Sequence, residues 1–135
     1  MSRRLAIAEL RKRYGDLPVI GGVDLEVGPS EIVGLVGPSG CGKSTLLRLA
    51  AGLDTQYRGE IRVGDELVCG PHPAVGLVFQ EPRLFPWLSV ADNVAFGLGE
   101  RHGPQARALV SGALEAVELT AFAGALPKEL SGGIL

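Results

Sequence analysis

A chain of 135 residues fits one domain and leaves little room for two. Thirteen Lys and Arg against fifteen Asp and Glu give a formal charge of −2, and this near-balance excludes a dedicated nucleic-acid binder, which carries a basic excess. Hydrophobic residues make up 46%, which excludes intrinsic disorder, and 20 glycines are about twice ordinary usage, as many tight turns or close backbone approaches to a ligand require.

Five basic residues (Arg3, Arg4, Arg11, Lys12, Arg13) crowd the first 13 positions and read as a solvated strand edge rather than a polyanion site. No apolar run reaches the roughly 18 residues of a membrane span, and the basic N-terminus runs into Glu9 and Arg11 rather than the apolar core of a secretory signal. Cys41 and Cys69 are too far apart for a zinc motif and too few for a disulfide framework, so a reducing compartment is expected.

Residues 4–10 and 19–28 read as strands. In the second, Val23, Leu25 and Val27 alternate with Asp24 and Glu26, the pattern of an antiparallel sheet with one wet face. Residues 31–36 differ: a nearly continuous apolar run predicts a strand buried on both faces, as in a parallel sheet. A glycine-rich loop follows, then a helix from Lys43 to Ala51 that stops at Gly52. Ile61–Val63 and Leu67–Cys69 flank a Gly64-Asp65 turn and predict a short hairpin, and Val75–Phe79 predicts another apolar strand.

The second half is helical. Ser89 is placed to cap a helix through about Leu98, with Asp92 in its first turn. From Ala106, apolar Leu109, Val110, Ala113, Leu114 and Val117 recur at helical spacing, and Pro104 suits the start of that helix.

The loop Gly37-Pro38-Ser39-Gly40-Cys41-Gly42-Lys43-Ser44 matches G-x-x-x-x-G-K-[ST]. Glycines let successive backbone N–H groups converge on phosphate oxygens, and the following helix turns its positive end to the same anion. Lys43 reaches the β- and γ-phosphates, and the Ser44 hydroxyl suits Mg²⁺. A chance match in such a chain is roughly one in a few hundred, and the expected strand and helix flank the loop. Cys41 has no general base near it in sequence and reads as a tolerated loop residue. His72 and His102 lack metal-like spacing.

Three further segments narrow the class. Val78-Phe79-Gln80-Glu81 ends a predicted strand on a glutamine, Leu130-Ser131-Gly132-Gly133 follows far downstream, and Tyr14 precedes the alternating strand. In this order around the phosphate loop they resemble the Q-loop, the signature motif and the adenine-stacking aromatic of ABC transporter ATP-binding cassettes. The stretch from Gly76 to Phe96 is similar to the importer subgroup that serves nitrate, aliphatic sulfonates and taurine.

The resemblance implies an α/β fold of the P-loop NTPase, ABC type: an N-terminal antiparallel strand region, parallel core strands, and a helical subdomain after the Q-loop. It divides residues 1–135, as a single incomplete domain, into a nucleotide-binding core (1–80), a Q-loop and helical part (81–129) and a shortened signature (130–135).

The cofactors implied are ATP and Mg²⁺. Tyr14 would stack on adenine. Gly37, Pro38, Ser39, Gly40, Cys41, Gly42, Lys43, Ser44 and Thr45 would hold the phosphates. Lys43 and Gln80 would be catalytic, Ser44 and Gln80 would meet the metal, and Ser131, Gly132 and Gly133 would touch nucleotide on a second cassette in a homodimer. The implied partners are a transmembrane permease subunit and, indirectly, a periplasmic or extracellular solute-binding protein, with the chain peripheral on the cytoplasmic membrane face and no nucleic acid involved.

The resemblance is incomplete. Ile134 stands where the family usually has Gln or Met, and neither a strand ending in Asp-Glu nor a switch histidine follows. The alternatives are therefore a nucleotide-binding fragment without hydrolysis and, more remotely, a small P-loop nucleotide kinase, which leaves Gln80 and Leu130–Gly133 unexplained. Leu84, Phe85 and Trp87, in a loop bracketed by Pro82 and Pro86, are expected either to dock a membrane partner or to pack under the helix that begins near Ser89.

Overall fold

The computed structural model describes residues 3–81, 83–99 and 103–130. The chain divides into two compact units, Met1–Val78 and Phe79–Leu135.

In the first unit, β1 (Leu5–Tyr14) and β2 (Leu17–Val27) form a long hairpin, and β3 (Arg58–Val63) and β4 (Glu66–Leu67) form the short hairpin predicted around Gly64-Asp65. All pairings are antiparallel and the strand order is β2-β1-β3-β4. Strand β1 is therefore central, not an edge, although Arg3, Arg4, Arg11 and Arg13 of the basic cluster are exposed as expected. Arg4 pairs with Glu26 across β2 at 2.6 Å, Arg3 pairs with Glu66, and Lys12 is buried.

A bulge explains Lys12. The register of β1 on β2 slips between Ile7 and Leu10, where Glu9 takes φ +51° and its N–H donates to Asp24 Oδ1 at 2.8 Å. One extra residue exchanges the faces of a strand. Inward positions run Ile7, then Leu10 and Lys12, and Arg11 and Arg13 turn out.

Helix α1 (Lys43–Ala50) lays Leu46 and Leu49 into the same core as Ile7, Leu10, Ile20, Ile61, Val63 and Val68. It ends in a Schellman motif: Leu53 N–H donates to Arg48 C=O and Gly52 N–H to Leu49 C=O, both at 2.9 Å. Gly52 sits at φ +70°, and a β-carbon there would overlap the Gly70 carbonyl. The stop predicted at Gly52 holds for a local reason.

The two parallel core strands expected from the apolar runs do not form. Residues 31–36 and 75–79 carry no ladder, and Ile32, Val36 and Val78 are almost fully exposed. A strand buried on both faces needs neighbours that pair both of its edges and layers that cover both faces. No described residue supplies a neighbour to either run.

The second unit packs α2 (Val90–Ala95) against α3 (Pro104–Ala116) around Val90, Ala95, Val110, Leu114 and Leu130. Ser89 caps α2 as expected, its hydroxyl accepting from Asp92 N–H at 3.1 Å. The helix ends at Ala95 rather than near Leu98 because the chain tightens into i→i−3 turns, Phe96 N–H to Asn93 C=O and Leu98 N–H to Ala95 C=O. At its start the orphan Val90 and Ala91 N–H groups bond to the Ala125 and Ala123 carbonyls. Pro104 opens α3. Only Ala106, Val110 and Leu114 of its apolar stripe are buried, while Leu109, Ala113 and Val117 face out. No helix among the described residues is long and apolar enough to cross a membrane.

Candidate functional site

The phosphate loop folds back on its own lysine. Lys43 Nζ donates to the carbonyls of Gly37 and Pro38, both at 2.8 Å, and lies 3.6 Å from Cys41 Sγ. Ser39 and Gly40 turn the loop at its tip, Gly40 at φ +78°, and Cys41 N–H reaches the Pro38 carbonyl at 3.4 Å. Gly42 is the pivot: it takes φ +100°, and a β-carbon there would stand 3.0 Å from the Val19 carbonyl oxygen of β2. A side chain at position 42 would be strained and would also push the loop off the sheet.

Helix α1 begins at the next residue. Its first helical bond is Leu46 N–H to Gly42 C=O, so the N–H groups of Lys43, Ser44 and Thr45 lie ahead of the intrahelical ladder. Ser44 is exposed and Thr45 half-buried. No acidic residue occupies the first turn, and no carboxylate pairs with Lys43 among the described residues. Lysine has three donors, two of which rest on loop carbonyls. An unneutralised ammonium, a helix N-terminus and a loop free of bulky side chains together form a receptor for a polyanion.

Tyr14, at the end of β1, is about half exposed. Lys12 Nζ stands 4.7 Å from its ring centroid, and its hydroxyl donates to Asp54 Oδ2 at 3.3 Å. Lys12, 2% exposed, ion-pairs with Asp54 at 2.8 Å and donates to the Gln56 carbonyl at 2.6 Å. The Lys12 ammonium holds the Asp54 carboxyl below its ordinary range. Partial burial works against this, while the Gln56 N–H and the Tyr14 hydroxyl reinforce it. Lys12 and Asp54 escape a reading by motif, because only the bulge in β1 puts residue 12 on the inner face.

Gln80 is exposed and is the second residue of the second unit. Beside it the Arg83 guanidinium covers the Phe79 ring at 4.2 Å. Ser131, Gly132 and Gly133 lie outside the described residues. The chain's one Asp-Glu pair, Asp65-Glu66, runs from a hairpin turn into the start of β4 rather than ending a buried strand, and Glu66 is held by Arg3 and His72. No cluster of three or more potential metal ligands from His, Cys, Asp and Glu occurs among the described residues.

The loop after Gln80 is clamped by one side chain that motif reading passes over. Asn93 accepts from Phe85 N–H at 2.7 Å and donates to the carbonyls of Phe85, Leu88 and Ser89 at 3.0 to 3.1 Å. The two expectations for the aromatics divide accordingly. Phe85 is half-buried and packs against Phe96 at the end of α2, centroids 4.4 Å apart, whereas Trp87 stays 71% exposed with its ring 5.4 Å from Phe85. A side-chain amide that satisfies this much backbone fixes the loop, and the loop holds Trp87 out.

The sequence profile of the ABC transporter family matches residues 20–134. The aliphatic sulfonates import ATP-binding protein SsuB 2 of Burkholderia lata is 52% identical over 124 residues, covering 92% of this chain and 45% of that protein. SsuB 1 of Pseudomonas aeruginosa is 48% identical over 143 aligned positions, covering 99% of this chain and 55% of that protein. SsuB 1 of Xanthomonas axonopodis pv. citri is 50% identical over 125, covering 90% and 50%. The chain thus spans about half the length of the curated relatives it matches.

Proposed function

The chain belongs to the ABC transporter family, and on that premise we propose that it is the nucleotide-binding part of an importer's ATP-binding subunit. The observation that carries this reading is Lys43, held at the mouth of the phosphate loop by the Gly37 and Pro38 carbonyls with no carboxylate partner among the described residues. The loop N–H groups and Lys43 would bind the phosphates of ATP, and the free face of Tyr14 would take the base. Ser44 would meet a magnesium ion through its exposed hydroxyl at the head of α1, and the family resemblance gives Gln80 a metal-contacting role as well. The metal supplies charge neutralisation between the phosphates. Ser131, Gly132 and Gly133 would meet nucleotide on a second copy of the cassette.

The working assembly would sit at the cytoplasmic face of the membrane beside a permease subunit, with a solute-binding protein delivering the cargo. Relatives named for aliphatic sulfonates favour a small sulfonate over nitrate as that cargo. Trp87 and Leu84, displayed on the loop that Asn93 clamps, suit the permease contact as exposed apolar anchors. Crosslinking from a cysteine at position 87 checks this surface, and its failure at several labelled permease positions would count against it.

Thermal shift with Mg-ATP is the direct test. Ligand at 100 times its Kd stabilises the chain by about 2.7 kcal/mol when it binds only the folded state. Lys43→Ala should remove most of that shift, and equal shifts in the two proteins would overturn the reading.

We further propose that these 135 residues alone bind ATP without turning it over: among the described residues, no buried strand presents an Asp-Glu pair that could serve a metal and an attacking water. Groups that position or stabilise the transition state commonly contribute factors of about 10² or more. Steady phosphate release that disappears in Lys43→Ala would refute that second statement and leave the first intact.

A further inference from the structure

We infer that Lys12 is a positioning residue for nucleotide recognition: with Asp54 it anchors the Tyr14 ring and ties that ring to the far end of the helix that carries the phosphate loop. The inference rests on the nucleotide-binding reading above. It adds two residues that no motif names.

The geometry is specific. Positions 12 and 14 share a face of β1: both follow the bulge at Glu9, and the further register shift between Lys12 and Arg13 places its extra residue, Val19, on β2 and leaves the alternation of β1 intact. The Lys12 ammonium is buried and meets four partners: both carboxylate oxygens of Asp54 at 2.8 and 2.9 Å, the Gln56 carbonyl at 2.6 Å, and the Tyr14 ring at 4.7 Å. Asp54 returns a contact to the same ring through the Tyr14 hydroxyl. Tyr14 is therefore held by its face and by its tip, while about half of the residue remains open to a ligand. Asp54 lies two residues past Gly52, the stop of α1, and the first residue of α1 is Lys43. One ion pair thus spans from the ring that would take a base to the element that would take the phosphates.

A purely structural role is the weaker account. Replacing a buried ion pair by apolar residues of similar volume is often neutral or stabilising, so stability alone does not require a charge here. A cation against an aromatic face, by contrast, orients that face and contributes more when desolvated.

The experiment compares Mg-ATP with inorganic tripolyphosphate, which offers phosphates and no base, on the full chain. Lys12→Met keeps the aliphatic stem and removes the charge. ATP affinity should fall about fivefold while tripolyphosphate affinity stays within about twofold. Tyr14→Phe keeps the ring and the ion pair but removes the hydroxyl contact, and should lower ATP affinity about twofold with tripolyphosphate unchanged.

Equal losses for both ligands in Lys12→Met would show a structural role and overturn the inference. If Lys12→Met fails to fold, an unchanged ATP-to-tripolyphosphate ratio in Tyr14→Phe overturns it instead. Failure of the underlying reading looks different: Tyr14→Ala would then leave the ratio unchanged, or Lys43→Ala would leave both ligands bound.

Discussion

Two sets of apolar segments, similar in character, meet opposite fates. The hairpins β1–β2 and β3–β4 are paired across four strands, and their Ile7, Leu10, Ile61 and Val63 are buried. The runs 31–36 and 75–79 are at least as apolar, yet Ile32, Val36 and Val78 stand open. The difference lies in partners. An antiparallel hairpin brings its neighbour with it through a two-residue turn, whereas a parallel strand depends on chain that returns from a distance. The phosphate loop sits at the junction, leaving an unpaired run and entering a helix that is packed on the paired sheet.

The sharpest test of that contrast is a pair of truncations. Leu49→Ala, at a fully buried site of α1, should cost about 2–5 kcal/mol, whereas Val36→Ala, 98% exposed, should stay within about 0.5 kcal/mol. Urea unfolding reads both. Comparable losses would show that run 31–36 is packed after all and would erase the distinction.

The ion pair inside the paired region is next. Asp54→Asn leaves Lys12 buried without its counter-charge and should cost about 3 kcal/mol. The pH dependence has a definite sign. The Asp54 carboxyl is held below its reference value of 3.8, so its contribution is complete above that pH and is lost as pH falls through the lowered folded value. Acid titration of stability should therefore be shallower in Asp54→Asn below about pH 4. Parallel curves would show that Lys12 does not depend on that charge.

A smaller effect separates two neighbours in the second unit. Asn93→Ala removes the amide that holds the Phe85–Ser89 backbone and should lower stability by about 1–2 kcal/mol, measured by thermal unfolding. Trp87→Ala should change it by about 0.5 kcal/mol or less, since the ring is 71% exposed. A large loss from Trp87→Ala would make it a core residue and remove it as a docking anchor.

Much was legible from the residues in order. The phosphate loop, the Gly52 stop, the Gly64-Asp65 turn, the Ser89 cap and the Pro104 start each depend on the few residues around them, and each stands where the pattern places it. The alternation in β2 likewise leaves Val23, Leu25 and Val27 half-buried, with Val23 and Leu25 packed against the core. Lys12 was illegible for a definite reason. Alternation carried forward from Leu5 and Ile7 turns position 12 to solvent, and the single extra residue at the bulge reverses it. Asn93 was illegible because its partners are backbone groups four to eight residues back, which carry no side-chain signature.

By itself, then, the sequence determined what is local: caps, turns, periodicity and the loop chemistry that marks the family, because backbone geometry and neighbouring side chains within one or two turns decide them. Tertiary structure alone decided which apolar runs acquire a partner, which face of β1 turns inward, and which half of the α3 stripe is covered. Those outcomes depend on pairing and packing between residues far apart in the chain, where the free energy of burial is realised only if another surface arrives to meet it.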